Sequence, residues 1–182
     1  MSKAIGMVEY KTVSAGMTAA DTMIKTAEIE VIQASTVCPG KYIVLVTGEL
    51  SAVKASIDAV KVKFSEQLSD SFVLGNPHED IFSAIYGGGE IGDAKSLGVL
   101  ETFSAPSIIV AADTAAKASE VKLIELRIAR GMCGKSYMLL TGTVASVTAA
   151  IERAKVVVGD EGMLLDSSVI PNPDKRLWDS IL

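Results

Sequence analysis

The feature that most constrains what this chain can fold into is an internal repeat half its own length. Ala4-Ile5-Gly6-Met7-Val8-Glu9 returns as Ser96-Leu97-Gly98-Val99-Leu100-Glu101, 92 residues later. The same offset carries Ala19-Ala20-Asp21-Thr22-Met23-Ile24-Lys25 onto Ala111-Ala112-Asp113-Thr114-Ala115-Ala116-Lys117. Gly40-Lys41 and Thr47-Gly48 return as Gly134-Lys135 and Thr141-Gly142 at an offset of 94, and Ser71 to Pro77 returns as Ser167 to Pro173 at 96. Self-similarity on this scale means one supersecondary unit built twice. The growing offset shows that the second copy carries extra residues between the shared blocks. The expected organisation is a first domain over 1–86, a linker over 87–94 and a second domain over 95–182, out of 182 residues. Gly87-Gly88-Gly89 precedes neither a strong helix nor a charged recognition residue, so it reads as linker rather than as a phosphate cradle.

Hydrophobic periodicity gives each copy the same series of elements. Ile5 to Lys11 reads as a strand, and Ala15 to Ala27 as a helix with Met17, Ala20, Ile24 and Ala27 on one face. Ile29 to Val37 and Tyr42 to Thr47 are β-branched and apolar, a hairpin closed by Cys38-Pro39-Gly40-Lys41. Ser51 is the expected N-cap of a helix carrying Val53, Ile57, Val60 and Phe64. Ser71 to Leu74 makes a last strand, and Pro77 opens a short helix with Ile81, Phe82 and Ile85. The order β-α-β-β-α-β-α, repeated, predicts an α/β (α+β) chain: two ferredoxin-like split βαβ domains, each an antiparallel sheet flanked by helices.

Composition narrows the function. With a net charge of −5 and no Lys/Arg-rich run, the chain has no surface for neutralising phosphates, so nucleic acid is excluded as a partner. No apolar run reaches the roughly 20 residues that span a bilayer, and no signal-peptide core follows Met1, so a cytoplasmic location and no membrane partner are expected. The two cysteines, Cys38 and Cys133, read as free thiols. With a single histidine and no close Cys or His pair, a metal would need ligands from several subunits.

Other motifs favour plain readings. Ala129-Arg130-Gly131-Met132-Cys133-Gly134-Lys135-Ser136 loosely matches a phosphate loop, but that motif needs a helix after Lys-Ser, and Tyr137-Met138-Leu139-Leu140 continues as a strand. His78 has no nucleophile and carboxylate to form a catalytic set, and the second copy has Asp174 in its place; a surface or interface role is expected, and no enzyme. Lys25 and Lys117 each follow an Asp by four residues, the spacing of a helix-surface ion pair. Trp178 is a packing residue. A small residue in a turn needs no metal, so on its own residues Cys38 is a structural thiol.

The helix segment 19–27 with its partner 111–119, the two Gly-Lys turns and the ending Val169-Ile170-Pro171-Asn172-Pro173 resemble the bacterial microcompartment (BMC) shell domain, over both copies and nearly the whole chain. The tandem pair with Thr36-Val37-Cys38-Pro39-Gly40-Lys41 in its first half is most similar to the tandem-domain branch of that family. The resemblance implies a homotrimer whose six domains make a pseudohexagonal tile in the shell of a microcompartment in the bacterial cytoplasm. Such a tile packs laterally against other shell proteins and faces encapsulated redox enzymes. It also implies that Lys25, Lys117, Asn76, His78 and Asn172 lie at the tile edge, although both Asn-Pro segments lack the Arg of the family's Pro-Arg-Pro-His form. Val37, Pro39, Gly40, Lys41, Met132, Cys133 and Gly134 are expected to line a central pore. By the same resemblance Cys38 binds a [4Fe-4S] cluster, one per trimer, for electron transfer or cluster exchange; thiolates grouped on a three-fold axis suit such chemistry. The resemblance gives Cys133 no role beyond the pore. The alternative is a cluster-free pore that passes a small metabolite.

Overall fold

The computed structural model describes residues 4–88 and 95–181; the expected linker at 87–94 falls outside these apart from Gly87 and Gly88. The first copy runs β1 (Ala4–Tyr10), α1 (Val13–Thr26), β2 (Glu30–Val37), β3 (Lys41–Gly48), α2 (Leu50–Lys63), β4 (Leu68–Leu74) and α3 (Asp80–Ile85). The second runs β5 (Ser96–Thr102), α4 (Ala105–Ala118), β6 (Val121–Arg127), β7 (Ser136–Gly142), α5 (Val144–Asp160), β8 (Leu164–Pro171) and α6 (Lys175–Ile181). The strands form two antiparallel sheets, ordered β2-β3-β1-β4 and β6-β7-β5-β8. This is the split βαβ arrangement that the element order predicts.

β1 is buried along its whole length because both of its faces are covered. Ala4, Val8 and Tyr10 share a core with Ala19, Met23, Val53 and Val60, beneath α1 and α2. Ile5 and Met7 point the other way, as period-two alternation requires. A repeated glycine sets how closely the second helix sits on the sheet. A Cβ on Gly6 would lie 2.8 Å from Val53 Cγ1, and one on Gly98 would lie 2.8 Å from Val147 Cγ1.

Several boundaries differ from expectation for local reasons. β1 lies one residue earlier, and β4 starts at Leu68 rather than Ser71 because pairing with β1 continues past a bulge at Glu9/Tyr10. α2 starts at Leu50 with Glu49 in the cap position and no side-chain cap, so Ser51 is inside the helix. α1 begins earlier than Ala15 because the Thr12 hydroxyl caps it, accepting from the Ala15 N–H at 3.4 Å. α3 starts at Asp80, three residues after Pro77. Trp178 is buried against Leu97, Ile124 and Leu139, as a packing residue.

The largest difference concerns α1. Its expected apolar face is not the one that packs on its own sheet: Gly16, Ala19 and Met23 are buried, while Met17 and Ile24 are 55% and 54% exposed. The buried side is fixed by close approach, since a Cβ on Gly16 would meet Tyr42 Cβ at 2.4 Å. The matching residues of α4, Ile109 and Ala116, are 0% and 8% exposed. α4 lies between two sheets: Ile5, Met7, Ile43 and Leu45 of the first copy belong to the same core as Ile108, Ile109 and Ala112 of the second.

Candidate functional site

The Cys38 turn is built by the end of a ladder. Val37 and Lys41 are the last paired residues of the hairpin, and Gly40 N–H donates to the Val37 carbonyl at 3.0 Å. Gly40 has φ +102°, a conformation that favours glycine. The matching turn between β6 and β7 is longer, with Ala129, Gly131, Cys133 and Gly134 all at positive φ. Inside it the Ser136 hydroxyl accepts from Ala129 N–H at 3.0 Å, and β7 follows directly. The loose phosphate-loop match therefore lacks its helix, as the sequence predicts.

The two turns touch. Cys38 N–H donates to the Ala129 carbonyl at 3.3 Å, and a Cβ on the buried Gly134 would lie 3.3 Å from both the Cys38 carbonyl and Pro39 Cδ. Beside them lies an open groove of about 430 Å³ lined by Val37, Cys38, Pro39, Gly40, Arg130 and Gly131. Both thiols are free; Cys38 is half-buried and Cys133 exposed. Among the described residues no group of three or more His, Cys, Asp or Glu side chains could hold a metal ion. One chain thus presents one cysteine to this groove, with an arginine alongside. Met132 lines a different hollow, of about 450 Å³, together with Val99, Glu101, Leu139 and Ile181.

Lys41 turns away from the groove. Its ammonium donates to Glu9 Oε1 at 2.6 Å, and the other oxygen of the fully buried Glu9 accepts from Ala105 N–H at 2.8 Å. That N–H belongs to the first turn of α4, whose free donors attract negative charge. Asp70 completes the contact: its Oδ2 accepts hydrogen bonds from both the Ser104 hydroxyl and, at 2.6 Å, the Ser107 hydroxyl. Two carboxylates of the first copy therefore hold the amino end of the second copy's first helix.

The other end of the seam brings together three of the residues expected at a tile edge. Lys117 donates to Asp113 at 2.7 Å and to the Asn76 carbonyl at 2.6 Å, while His78 N–H donates to Asp113 Oδ1 at 2.8 Å. The His78 ring nitrogen Nδ1 accepts from Asp80 N–H at 3.3 Å. Lys25 pairs with Asp21 at 2.7 Å, and both are exposed. Asn172, at φ +50°, donates its N–H to the Lys95 carbonyl at 3.2 Å. Asp174, the counterpart of His78, is ion-paired to Arg176 at 2.9 Å, and that guanidinium holds its carboxyl below the ordinary value. Glu9 and Asp70 are residues that sequence reasoning passed over, and Asp113, expected as a helix-surface partner of Lys117, is instead buried at 5% exposure. Their signal is a carboxylate kept in both copies, in the case of Glu9 at the end of an otherwise apolar strand.

The BMC domain matches the chain twice, over residues 4–77 and 96–173. The bacterial microcompartment shell protein PduT of Citrobacter freundii is 37% identical over 178 residues, covering 98% of this chain and 97% of that protein. The shell protein PduA of the same organism is 33% identical over 81 residues, 43% of this chain and 87% of its own length. The crystal structure of a microcompartment protein from Desulfitobacterium hafniense matches with a TM-score of 0.86 at 42% identity, over 98% of this chain and 99% of that one.

Proposed function

Because the chain belongs to the BMC-domain family and is a microcompartment shell protein, we propose that three copies close head to tail into a ring of six domains, a pseudohexagonal tile. The observation that carries this reading is the unequal burial of two matching helices. α4 is sealed between two sheets, whereas α1 leaves Met17 and Ile24 in water, an apolar stripe that suits a second sheet. Ring closure gives every copy of the helix the same surroundings. Through its edge, where Lys25, Lys117, Asn76, His78 and Asn172 are assigned, the tile associates with other shell proteins.

At the centre of the ring three Cys38 turns converge, one from each chain. The residues present fit a [4Fe-4S] cluster shared between chains: a half-buried free thiol and an adjoining arginine to balance an anionic group. Three Cys38 thiolates would hold one cluster per trimer, and the cluster would supply one-electron redox chemistry. The protein's own contribution is to fix the thiol on a short turn braced by Gly134 and Ala129. With a cluster bound, the tile would serve electron transfer or cluster exchange between the two sides of the shell, and redox enzymes inside.

Anaerobic purification with iron and sulfide analysis, and electron paramagnetic resonance after reduction, tests the cluster. One cluster per three chains is expected, abolished by Cys38→Ser. A second reading, a cluster-free pore for a small metabolite, is favoured by the withdrawal of Lys41 from the groove toward Glu9. Protein free of iron under anaerobic handling would leave that reading in possession.

A further inference from the structure

We propose that Glu101 and Asp166 form between chains the lock that Glu9 and Asp70 form within one, and that its occupant is the amino end of α1 of a second copy. The inference rests on the ring closure argued above and names the groups that determine it. Glu101 and Asp166 are the repeat counterparts of Glu9 and Asp70. The local geometry is already in place. Asp166 Oδ1 accepts from Ser167 N–H at 2.7 Å, as Asp70 Oδ1 accepts from Ser71 N–H at 2.7 Å. In Asp70 this fixes the carboxylate with Oδ2 turned toward the α4 cap; among the described residues Oδ2 of Asp166 and the Glu101 carboxylate make no hydrogen bond.

The surrounding surface is part apolar and part polar, with Arg127 and Tyr137 in its wall, and α6 covers some of it, leaving Leu139 7% exposed against Trp178. The hollow of about 450 Å³ beside Glu101 is walled by Val99 and Leu139, the counterparts of Met7 and Leu45, which in the first copy share a core with α4. The complementary piece is the start of α1. Thr12 caps it where Ser104 caps α4, and Thr12 is exposed whereas Ser104 is buried. The half-positive end of the helix is matched to two carboxylates, and the exposed stripe of Met17 and Ile24 to the hollow.

The two locks are not equal. Ala15 stands where Ser107 stands, so the joint between chains has one hydroxyl on its aspartate instead of two. The joint between chains is therefore the weaker one, and Ala15→Ser should tighten it.

The test is a charge swap in the full chain, read as the concentration at which the trimer dissociates in sedimentation velocity, with graded urea added equally to all samples. Thr12→Asp keeps a good helix cap, and Asp166→Lys alters an exposed position, so thermal melting of the separated chains should not change. Thr12→Asp sets a further carboxylate against Glu101 and Asp166, and Asp166→Lys sets an ammonium against the half-positive end of α1, so each single variant should raise the dissociation concentration by about tenfold or more. The double variant should return to within about threefold of wild type. Single variants that dissociate like wild type, or a double variant no tighter than either single, would overturn the lock while leaving the ring intact. A wild-type chain that is monomeric throughout would overturn the ring itself.

Discussion

Glu9 sits wholly out of water, and it is stable there because both its oxygens are engaged, one by the Lys41 ammonium and one by the Ala105 N–H. Removing one partner of a buried pair leaves the other charge uncompensated, which costs more than the pair contributes. Lys41→Met should therefore lower stability by about 3 kcal/mol, read from the urea midpoint. Tyr10 gives a second prediction. Its hydroxyl is buried and donates to the Val60 carbonyl at 3.2 Å, and burial pushes its pKa up from 10.0 to about 12. The unfolded chain then loses this proton before the folded one does. The stabilisation is complete below pH 10 and disappears as pH rises toward about 12. In Tyr10→Phe the loss of melting temperature across that window should be smaller than in wild type, and an identical profile would count against the assignment.

α1 and α4 hold matching places in the repeat and share an Ala-Ala-Asp-Thr run and the lysine after it, but their environments differ. Each packs on its own sheet, but only α4 has a second sheet over its outer face, supplied by the copy before it in the chain. Met17→Glu should leave the fold of one chain unchanged by circular dichroism while preventing assembly at micromolar concentration, since the side chain is exposed until a second copy arrives. The helix-to-sheet distance is a second property of the elements. α5 rests on the bare backbone of Gly98, and a methyl group there would have to displace Leu140 and Val147. Gly98→Ala should destabilise by about 1–3 kcal/mol, the usual cost of overpacking, and thermal unfolding of the isolated chain would measure it.

As a whole, the molecule is, on the proposed ring closure, a third of a closed object. One seam is complete within the chain, and its two halves recur unpaired at opposite ends: the α1 stripe at one and the Glu101 and Asp166 surface at the other. A heterologous joint of this kind either closes into a ring or propagates. Six domains in the ring correspond to three chains, so light scattering should report three times 19.0 kDa, and a value for one chain would contradict closure. Because Cys38 has Met132 as its repeat counterpart, the proposed ring would carry three such turns rather than six, with Cys133 one position further along in a longer turn. Among the described residues no helix is long and apolar enough to cross a membrane.

The sequence by itself determined the duplication, the order of elements in both copies, the hairpin that presents Cys38 and the rejection of the phosphate loop. All of these depend on neighbours in the chain: period-two and helical alternation, turn chemistry, and the absence of a helix after Lys135-Ser136. The family resemblance marked Lys117, Asn76 and His78 together, as tile-edge residues. Only the tertiary structure decided which stripe of α1 faces its own sheet, because Gly16 against Tyr42 is a contact between distant residues and both stripes are apolar. Nor could spacing reveal that Lys41 leaves the groove for Glu9, or that Glu9 and Asp70 hold the start of α4. Those bonds join residues 32 to 96 positions apart; Lys41 to Glu9 lies within the first copy, and the bonds to α4 form only once the second copy is laid against the first.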